Sequence, residues 1–323
     1  MHAIEVTEFG SDDVLERVER DRPEPGPGEV RIDVAAVGVN FADVMQRRGH
    51  YHGGPEPPYV PGMEAAGVVD AVGEGADAEV GDRVVAMLDG GAYAEYVTAP
   101  AFALFDVPEG TSFREAAGFP VQFLTAHHCL HEWGGLEADE RVLVHAAAGG
   151  VGTAAVQLAA LAGAEVFGTA STTEKLDLAE RLGCDHPIDY TEDDFAEVVD
   201  GLTDGDGVDL VLDGVGGDTF RKSVDALSHF GRVVAYGAAS GEPGTVDTAT
   251  LLFGNKSVEG FHLGEAMRRD PERVYAAVPE LSALLAEGDL EVVVGQTFDL
   301  ADAAAAHRAL ENRETTGKVV LEP

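Results

Sequence analysis

Lysine is nearly missing from this sequence: Lys175, Lys222, Lys256 and Lys318 are the only four in 323 residues. Basic residues in general are scarce, 21 against 59 acidic ones, and the formal charge of −38 rules against phosphate backbones or anionic lipid as the main partner. Neither nucleic acid nor membrane is expected; a small molecule is. Cysteine is as sparse. Cys129 and Cys184 cannot supply a disulfide framework or a four-thiolate zinc site, which points to a reducing cytoplasm. The stretch Met1 to Gly10 has no basic region followed by an apolar run, so no secretory signal is read there. Long uncharged runs reduce to one, Val142 to Ala164, which has bilayer length but is interrupted by Gly149, Gly150 and Gly152. A strand, a glycine loop and a helix account for it better.

What is abundant is acid, and it is spread along the chain rather than gathered into a tail. Hydrated carboxylates distributed in this way suggest a halophile's surface, because an unscreened charge of this size would push a compact state apart. A hydrophobic content of 45% fills cores and excludes disorder, and at roughly 150 residues per domain the length suggests two domains.

The residues up to about 120 alternate short β-rich runs (VRIDVAAVGVN, AAGVVDAVG, DRVVAML, AYAEYVTAP) with turns, and prolines between Pro23 and Pro61 fix extended loops. That reads as an antiparallel barrel. From 121 to 260 strands alternate with helices: RVLVHA, a helix from Gly150 to Leu161, EVFGTA, a helix from Thr173 to Leu182, then VDLVLDGVG and GRVVAYG. Such alternation predicts a doubly wound parallel sheet. A helix is expected around Pro271 to Ala286, and the terminal strands EVVVGQTFDL and GKVVL are expected to return to the first domain. The fold class is therefore α/β, a barrel over 1–120 and 261–323 interrupted by a nucleotide-binding insert over 121–260.

HAAAGGVGTAAVQLAALAGA sits between a predicted strand and a predicted helix, with Ala147, Gly149 and Gly152 where a G-x-G-x-x-G fingerprint has its glycines. There a diphosphate would rest on backbone amides between Ala148 and Val151, among them those of Gly149 and Gly150, while Gly152 would let helix pack on strand. NAD enzymes usually carry an acid at the end of the next strand. Here Ser171, Thr172 and Lys175 stand instead, and hydroxyls with a lysine suit a 2′-phosphate, so the expected cofactor is NADPH.

The motifs VGVNFADVMQRRGHY, PGMEAAGVV, GDRVV, AYAEYV, LVHAAAGGVGTAAVQLA, GTAS with Lys175, and TTGKVVLEP follow one another in an order that resembles the zinc-independent quinone oxidoreductases. These are the zeta-crystallin-type branch of the medium-chain dehydrogenase/reductase superfamily. The resemblance covers nearly the whole chain and implies a GroES-like catalytic domain built from both chain ends, a Rossmann domain between them and NADPH in the cleft. Asn40 and Met63 stand where zinc-dependent relatives have Cys and His, so no zinc site of that type is implied.

By position, the resemblance makes Asn40 the residue that polarises the substrate oxygen and Tyr51 a donor at the substrate mouth. A second family tyrosine is replaced by Met45. Thr125 matches the threonine behind the nicotinamide, and Lys175, Tyr190 and Arg313 match contacts to the 2′-phosphate. Asp43, Arg47 and Glu64 read as an ion-pair group holding the active-site loop. A homodimer through edge strands near Thr245 to Gly260 is also implied.

The activity implied is NADPH-dependent hydride transfer to quinones or activated alkenes. An enoyl-thioester or 2-alkenal reductase is the enzymatic alternative, though a thioester of coenzyme A calls for a basic patch that four lysines do not supply. The other alternative is a non-catalytic NADPH-binding structural or regulatory protein. His127, His128, Cys129 and His131 invite a metal reading, but no third and fourth ligand has suitable local spacing, and they are expected to be packed side chains.

Overall fold

Eleven residues, EVRIDVAAVGV, form the longest strand of the structure, a computed structural model that describes residues 1–323. This strand, β3 (Glu29–Val39), follows β1 (His2–Val6) and β2 (Leu15–Glu19) and is succeeded by α1 (Phe41–Arg47), β4 (Glu64–Val72), β5 (Arg83–Met87), β6 (Tyr96–Pro100), β7 (Leu104–Asp106) and α2 (Phe113–Ala117). In β3, Val30, Ile32 and Val34 alternate inward with polar residues, the two-residue period of a half-buried strand, before Val37 to Val39 become buried on both faces.

Next come α3 (Pro120–His127), a π-helical turn (His128–Glu132), β8 (Arg141–Val144), α4 (Gly150–Leu161), β9 (Glu165–Ala170), α5 (Thr173–Arg181), β10 (His186–Asp189), α6 (Phe195–Leu202), β11 (Val208–Asp213), α7 (Gly217–Asp225), β12 (Leu227–Ala235), α8 (Thr248–Gly254) and β13 (Ser257–Gly260). After α9 (Leu263–Arg269), α10 (Pro271–Tyr275) and α11 (Val278–Glu287), the chain ends with β14 (Val294–Asp299), α12 (Ala303–Glu311) and β15 (Lys318–Glu322).

Two units result, residues 1–121 with 292–323 and residues 122–291. The first is the GroES-like unit, with a seven-stranded sheet in the order β14-β15-β3-β4-β5-β7 and β6 also paired to β3. β15 joins β3 antiparallel, Val320 opposite Gly38, so the terminal strands do return to this sheet. Its core includes Val30, Ile32, Ala65, Val69, Tyr93 and Leu321.

The second unit is the Rossmann unit, a six-stranded parallel sheet in the order β10-β9-β8-β11-β12-β13. β8 and β11 are adjacent, so the strand order reverses there and the loop after β8 opens at the switch point, where such sheets take ligands. Strands covered on both faces read as unbroken apolar runs, as Val142–Val144 and Leu210–Leu212 do.

Two expectations differ from the structure. The second boundary falls between Glu291 and Val292, not at 261, because residues 261–291 pack within the Rossmann unit. Phe261 stacks 4.6 Å from the Trp133 ring, Arg273 lies 4.4 Å over that ring, and His128 Nε2 stands 3.0 Å from the Val274 carbonyl. Gln157 closes the segment by donating to the Glu291 carbonyl and accepting from its N–H at 2.8 Å. The single helix expected over Pro271 to Ala286 is broken into α10 and α11. Proline fits only the first turn of a helix, and Pro271 and Pro279 each occupy one.

Candidate active site

The glycine loop starts at the end of β8. Ala146 takes a left-handed conformation (φ 51°), and Gly149 closes a tight turn by donating its N–H to the Ala146 carbonyl at 2.8 Å. That bond engages the Gly149 N–H within the turn itself. Gly149 is the N-cap of α4, has no side chain to cap with, and accepts the first helical bond from Thr153. The N–H groups of Gly150, Val151 and Gly152 therefore begin the helix without an intrahelical acceptor, at the positive end of its dipole. Gly150 and Val151 are half-buried, while Ala148 is packed away. A Cβ on Gly152 would lie 2.1 Å from the Ala146 carbonyl oxygen, so close packing of helix on loop requires glycine.

Parallel pairing of β9 with β10 sets Asp189 beside Ala170, and Tyr190 N–H donates to the Ala170 carbonyl at 3.1 Å. Ser171 and Tyr190 thus leave the sheet side by side. Lys175 lies in the first turn of α5, where its N–H donates to the Thr172 hydroxyl. The nearby acid, Asp189, accepts from the Thr191 N–H and hydroxyl at 2.9 and 2.6 Å, which holds its carboxyl below the ordinary range. Ser171, Lys175 and Tyr190 are therefore gathered at one sheet edge. Arg313 belongs to the GroES-like unit, where it follows α12 in a left-handed conformation (φ 59°).

Behind the glycine loop, His145 is fully buried between Thr169 Oγ1 (3.0 Å) and Ser223 Oγ (2.8 Å), and Asp213 accepts from Val215 and Gly216 N–H. Burial lowers the His145 pKa, so the ring is a neutral strut between the ends of β8 and β9 and α7. Sequence reasoning passed over it, although a polar residue closing an apolar strand is a readable signal. Gln122 was passed over too. It is buried one turn before Thr125 on α3, and neither atom of its amide has a protein partner. Buried polar atoms are rarely left so.

In the GroES-like unit, Asn40 caps α1, its N–H bonded to Asp43 Oδ2 at 2.8 Å. Asn40 Nδ2 donates to Glu64 Oε1 at 2.9 Å, and its Oδ1 accepts from Lys318 Nζ at 2.7 Å. Lys318 also donates to Glu64 Oε1, while Glu64 Oε2 accepts from the Val121 N–H at 2.9 Å. Tyr51 sits half-buried in the turn after α1.

The expected Asp43, Arg47 and Glu64 ion-pair group does not form. Glu64 pairs with Lys318; Arg47, wholly buried, pairs with Glu311 at 2.5 Å; Asp43 accepts from Tyr93 Oη at 3.1 Å. Their partners lie on strands and helices that local motif reading does not connect. Burial, the largest influence on Asp43, pushes its carboxyl up to about 7.

The histidine cluster is packed rather than open. The His127 and His131 rings lie 4.9 Å apart, His127 Nε2 faces Glu280 at 3.7 Å, and burial lowers His127 to about 4. No group of three or more His, Cys, Asp or Glu side chains is placed to hold a metal ion. Burial also raises the Cys129 thiol, which suits a core residue and not a nucleophile.

Two domain families match the chain, the alcohol dehydrogenase GroES-like domain over residues 26–109 and the zinc-binding dehydrogenase domain over 150–283. A quinone oxidoreductase of Pseudomonas aeruginosa is 39% identical across 99% of both chains. The chain belongs to the zinc-independent quinone oxidoreductase family. A 2-haloacrylate reductase of a Burkholderia species is 41% identical over 93% of this chain and 92% of its own. The Escherichia coli quinone oxidoreductase, solved as a complex with NADPH, superposes with a TM-score of 0.93 at 35% identity and covers all of both chains. Both of its units follow the architecture of that family.

Proposed function

We propose that this protein is an NADPH-dependent reductase that delivers a hydride to quinones or activated alkenes without zinc. The observation that carries the reading is the uncapped N-terminus of α4, opening at the switch point of a parallel sheet that also gathers Ser171, Lys175 and Tyr190. The chain fits a phosphorylated dinucleotide: α4 offers free amides to the diphosphate, Lys175 and the hydroxyls suit the 2′-phosphate, and the orphaned Gln122 amide, with Thr125 a turn later, offers a donor and an acceptor to the carboxamide. Arg313 is proposed as a further phosphate contact.

When bound, NADPH supplies the hydride. Asn40 orients the acceptor and donates to the oxygen on which charge develops, a contact that strengthens as the charge grows. Tyr51 supplies a second hydrogen bond, and a reduced quinone takes its proton from water. The free amides of Gly150, Val151 and Gly152 and the packed strand ends hold the coenzyme in register, so positioning and exclusion of water are the protein's share of the rate.

Steady-state oxidation of NADPH and NADH with 9,10-phenanthrenequinone, 2-haloacrylate and simple enones tests this. Turnover with a strong preference for NADPH is the expected result, and the ranking of acceptors separates quinone from alkene reduction. Binding of NADPH without turnover on any acceptor would favour a structural or regulatory role.

The same reading includes a homodimer, a cytoplasmic location and a saline environment. β13 is the edge of the parallel sheet, and α8 beside it exposes Leu252 and Phe253, an apolar surface that an identical edge would cover. Both thiols are buried and free, and the charge of −38 suits concentrated salt.

A further inference from the structure

Lys318 is only 2% exposed, in a chain with four lysines, and its ammonium is divided between two acceptors, Asn40 Oδ1 and Glu64 Oε1. Two glycines make room for the group. A Cβ on Gly118 would come within 3.1 Å of Lys318 Cγ, and one on Gly38 would come within 2.7 Å of Glu64 Cγ. A buried ion pair is weak evidence of stabilisation, since desolvation offsets most of the attraction. The third member, a half-buried amide, gives the pair a different purpose.

We infer that Lys318 is a positioning residue, holding the Asn40 amide by its oxygen so that one N–H is kept for the acceptor and made a stronger donor. The inference rests on the proposed role of Asn40. An asparagine amide can rotate by half a turn and exchange its oxygen and nitrogen. Here that rotation would set the NH2 group against an ammonium and the oxygen against a carboxylate, so Lys318 and Glu64 together allow one orientation. In it, one N–H of Asn40 is used on Glu64. The other has only the Gly38 carbonyl, 3.4 Å from Nδ2, at the limit of a hydrogen bond. An ammonium on Oδ1 draws electron density to the oxygen and leaves the nitrogen poorer, which strengthens that remaining donor.

The test compares Asn40→Ala, Lys318→Met, the charge-neutral pair Lys318→Met/Glu64→Gln, and the neutral pair combined with Asn40→Ala. The neutral pair leaves no buried carboxylate unmatched, so it guards against simple misfolding of Lys318→Met. For each variant kcat and KM for 9,10-phenanthrenequinone, NADPH affinity by fluorescence titration and the side-chain amide region of a 15N correlation spectrum are recorded. Lys318→Met and the neutral pair are expected to lower kcat about tenfold, with NADPH affinity held within about twofold. Adding Asn40→Ala to the neutral pair should cost nothing beyond Asn40→Ala alone. The Asn40 NH2 resonances, identified by their absence in Asn40→Ala, should move upfield in both Lys318 variants. If Asn40→Ala slows turnover while the neutral pair leaves kcat intact, or if the two losses multiply, the positioning role is overturned and that of Asn40 stands. Unchanged turnover in Asn40→Ala overturns the reading of Asn40, and this inference with it.

Discussion

Tyr93 Oη stands 2.9 Å from His307 Nε2, and the two rings meet edge to face at 5.7 Å, wholly buried in the GroES-like unit. Arg47, an obligate donor, faces His307 Nδ1 at 3.4 Å, so Nδ1 accepts and Nε2 carries the proton. Tyr93 then accepts from His307 and donates to Asp43, giving a chain of donors that runs from Arg47 to Asp43.

This chain makes stability depend on pH with two opposite signs. Burial, helped by the Arg47 charge, lowers His307 from 6.5 to about 3. The folded state thus prefers the neutral ring, and that contribution, present above about pH 6.5, is lost as the pH falls toward 3. Asp43 is raised from 3.8 to about 7, so its contribution is full below 3.8 and is lost as the pH rises through 7. Melting temperatures recorded from pH 4 to 8 should show a steeper acid limb in the parent protein than in His307→Gln. Parallel acid limbs would remove His307 from the account.

Gly152→Ala should damage both stability and cofactor binding. The new methyl would be 2.1 Å from the Ala146 carbonyl, a backbone atom that cannot swing aside. Relief requires α4 to move, at a cost of about 1–3 kcal/mol in thermal or urea unfolding, and its amides move with it. NADPH affinity is expected to fall at least about tenfold, which each 1.4 kcal/mol of lost contact produces. Unchanged binding would place the diphosphate elsewhere.

Lys175→Asp tests the 2′-phosphate. A hydrogen bond to a charged group contributes about 1.5–3 kcal/mol, so the KM for NADPH should rise roughly 10- to 100-fold while that for NADH changes little. Equal loss for both coenzymes would point to disruption of α5 rather than to lost phosphate recognition.

Salt should strengthen coenzyme uptake. NADPH is a polyanion approaching a chain of charge −38, and at about 1 M salt the Debye length shrinks to about 3 Å. Apparent NADPH affinity is expected to rise from low to molar ionic strength, with circular dichroism checking that the fold is intact at both ends. A flat response would count against both the electrostatic argument and the halophilic reading.

The alternation of Val, Ile and Leu with glycine and proline made the two kinds of sheet readable, and the strand, loop and helix around Gly149 to Leu161 fall where the periodicity changes. β10 was not legible and β13 was placed only by the resemblance, within an edge segment near Thr245 to Gly260, because HPID and SVEG, four residues each, acquire strand form only from a neighbouring strand that supplies the pairing. The partition of residues 261–291 was hidden for a similar reason: Arg273 and Phe261 find Trp133 more than 120 positions away. At the site, motifs marked Asn40, but its partner Lys318 lies 278 residues along the chain, and that of Arg47 lies 264. Charge in a motif is visible in a sequence; the countercharge across a sheet is not.

Because β3 receives β15 only after the whole intervening unit has been written, the ribosome makes Asn40 and Glu64 long before it makes Lys318. A chain halted before that point leaves the buried Glu64 carboxylate without its ammonium and the Val37–Val39 end of β3 without the strand that pairs it, while β4 and β6 still hold the rest.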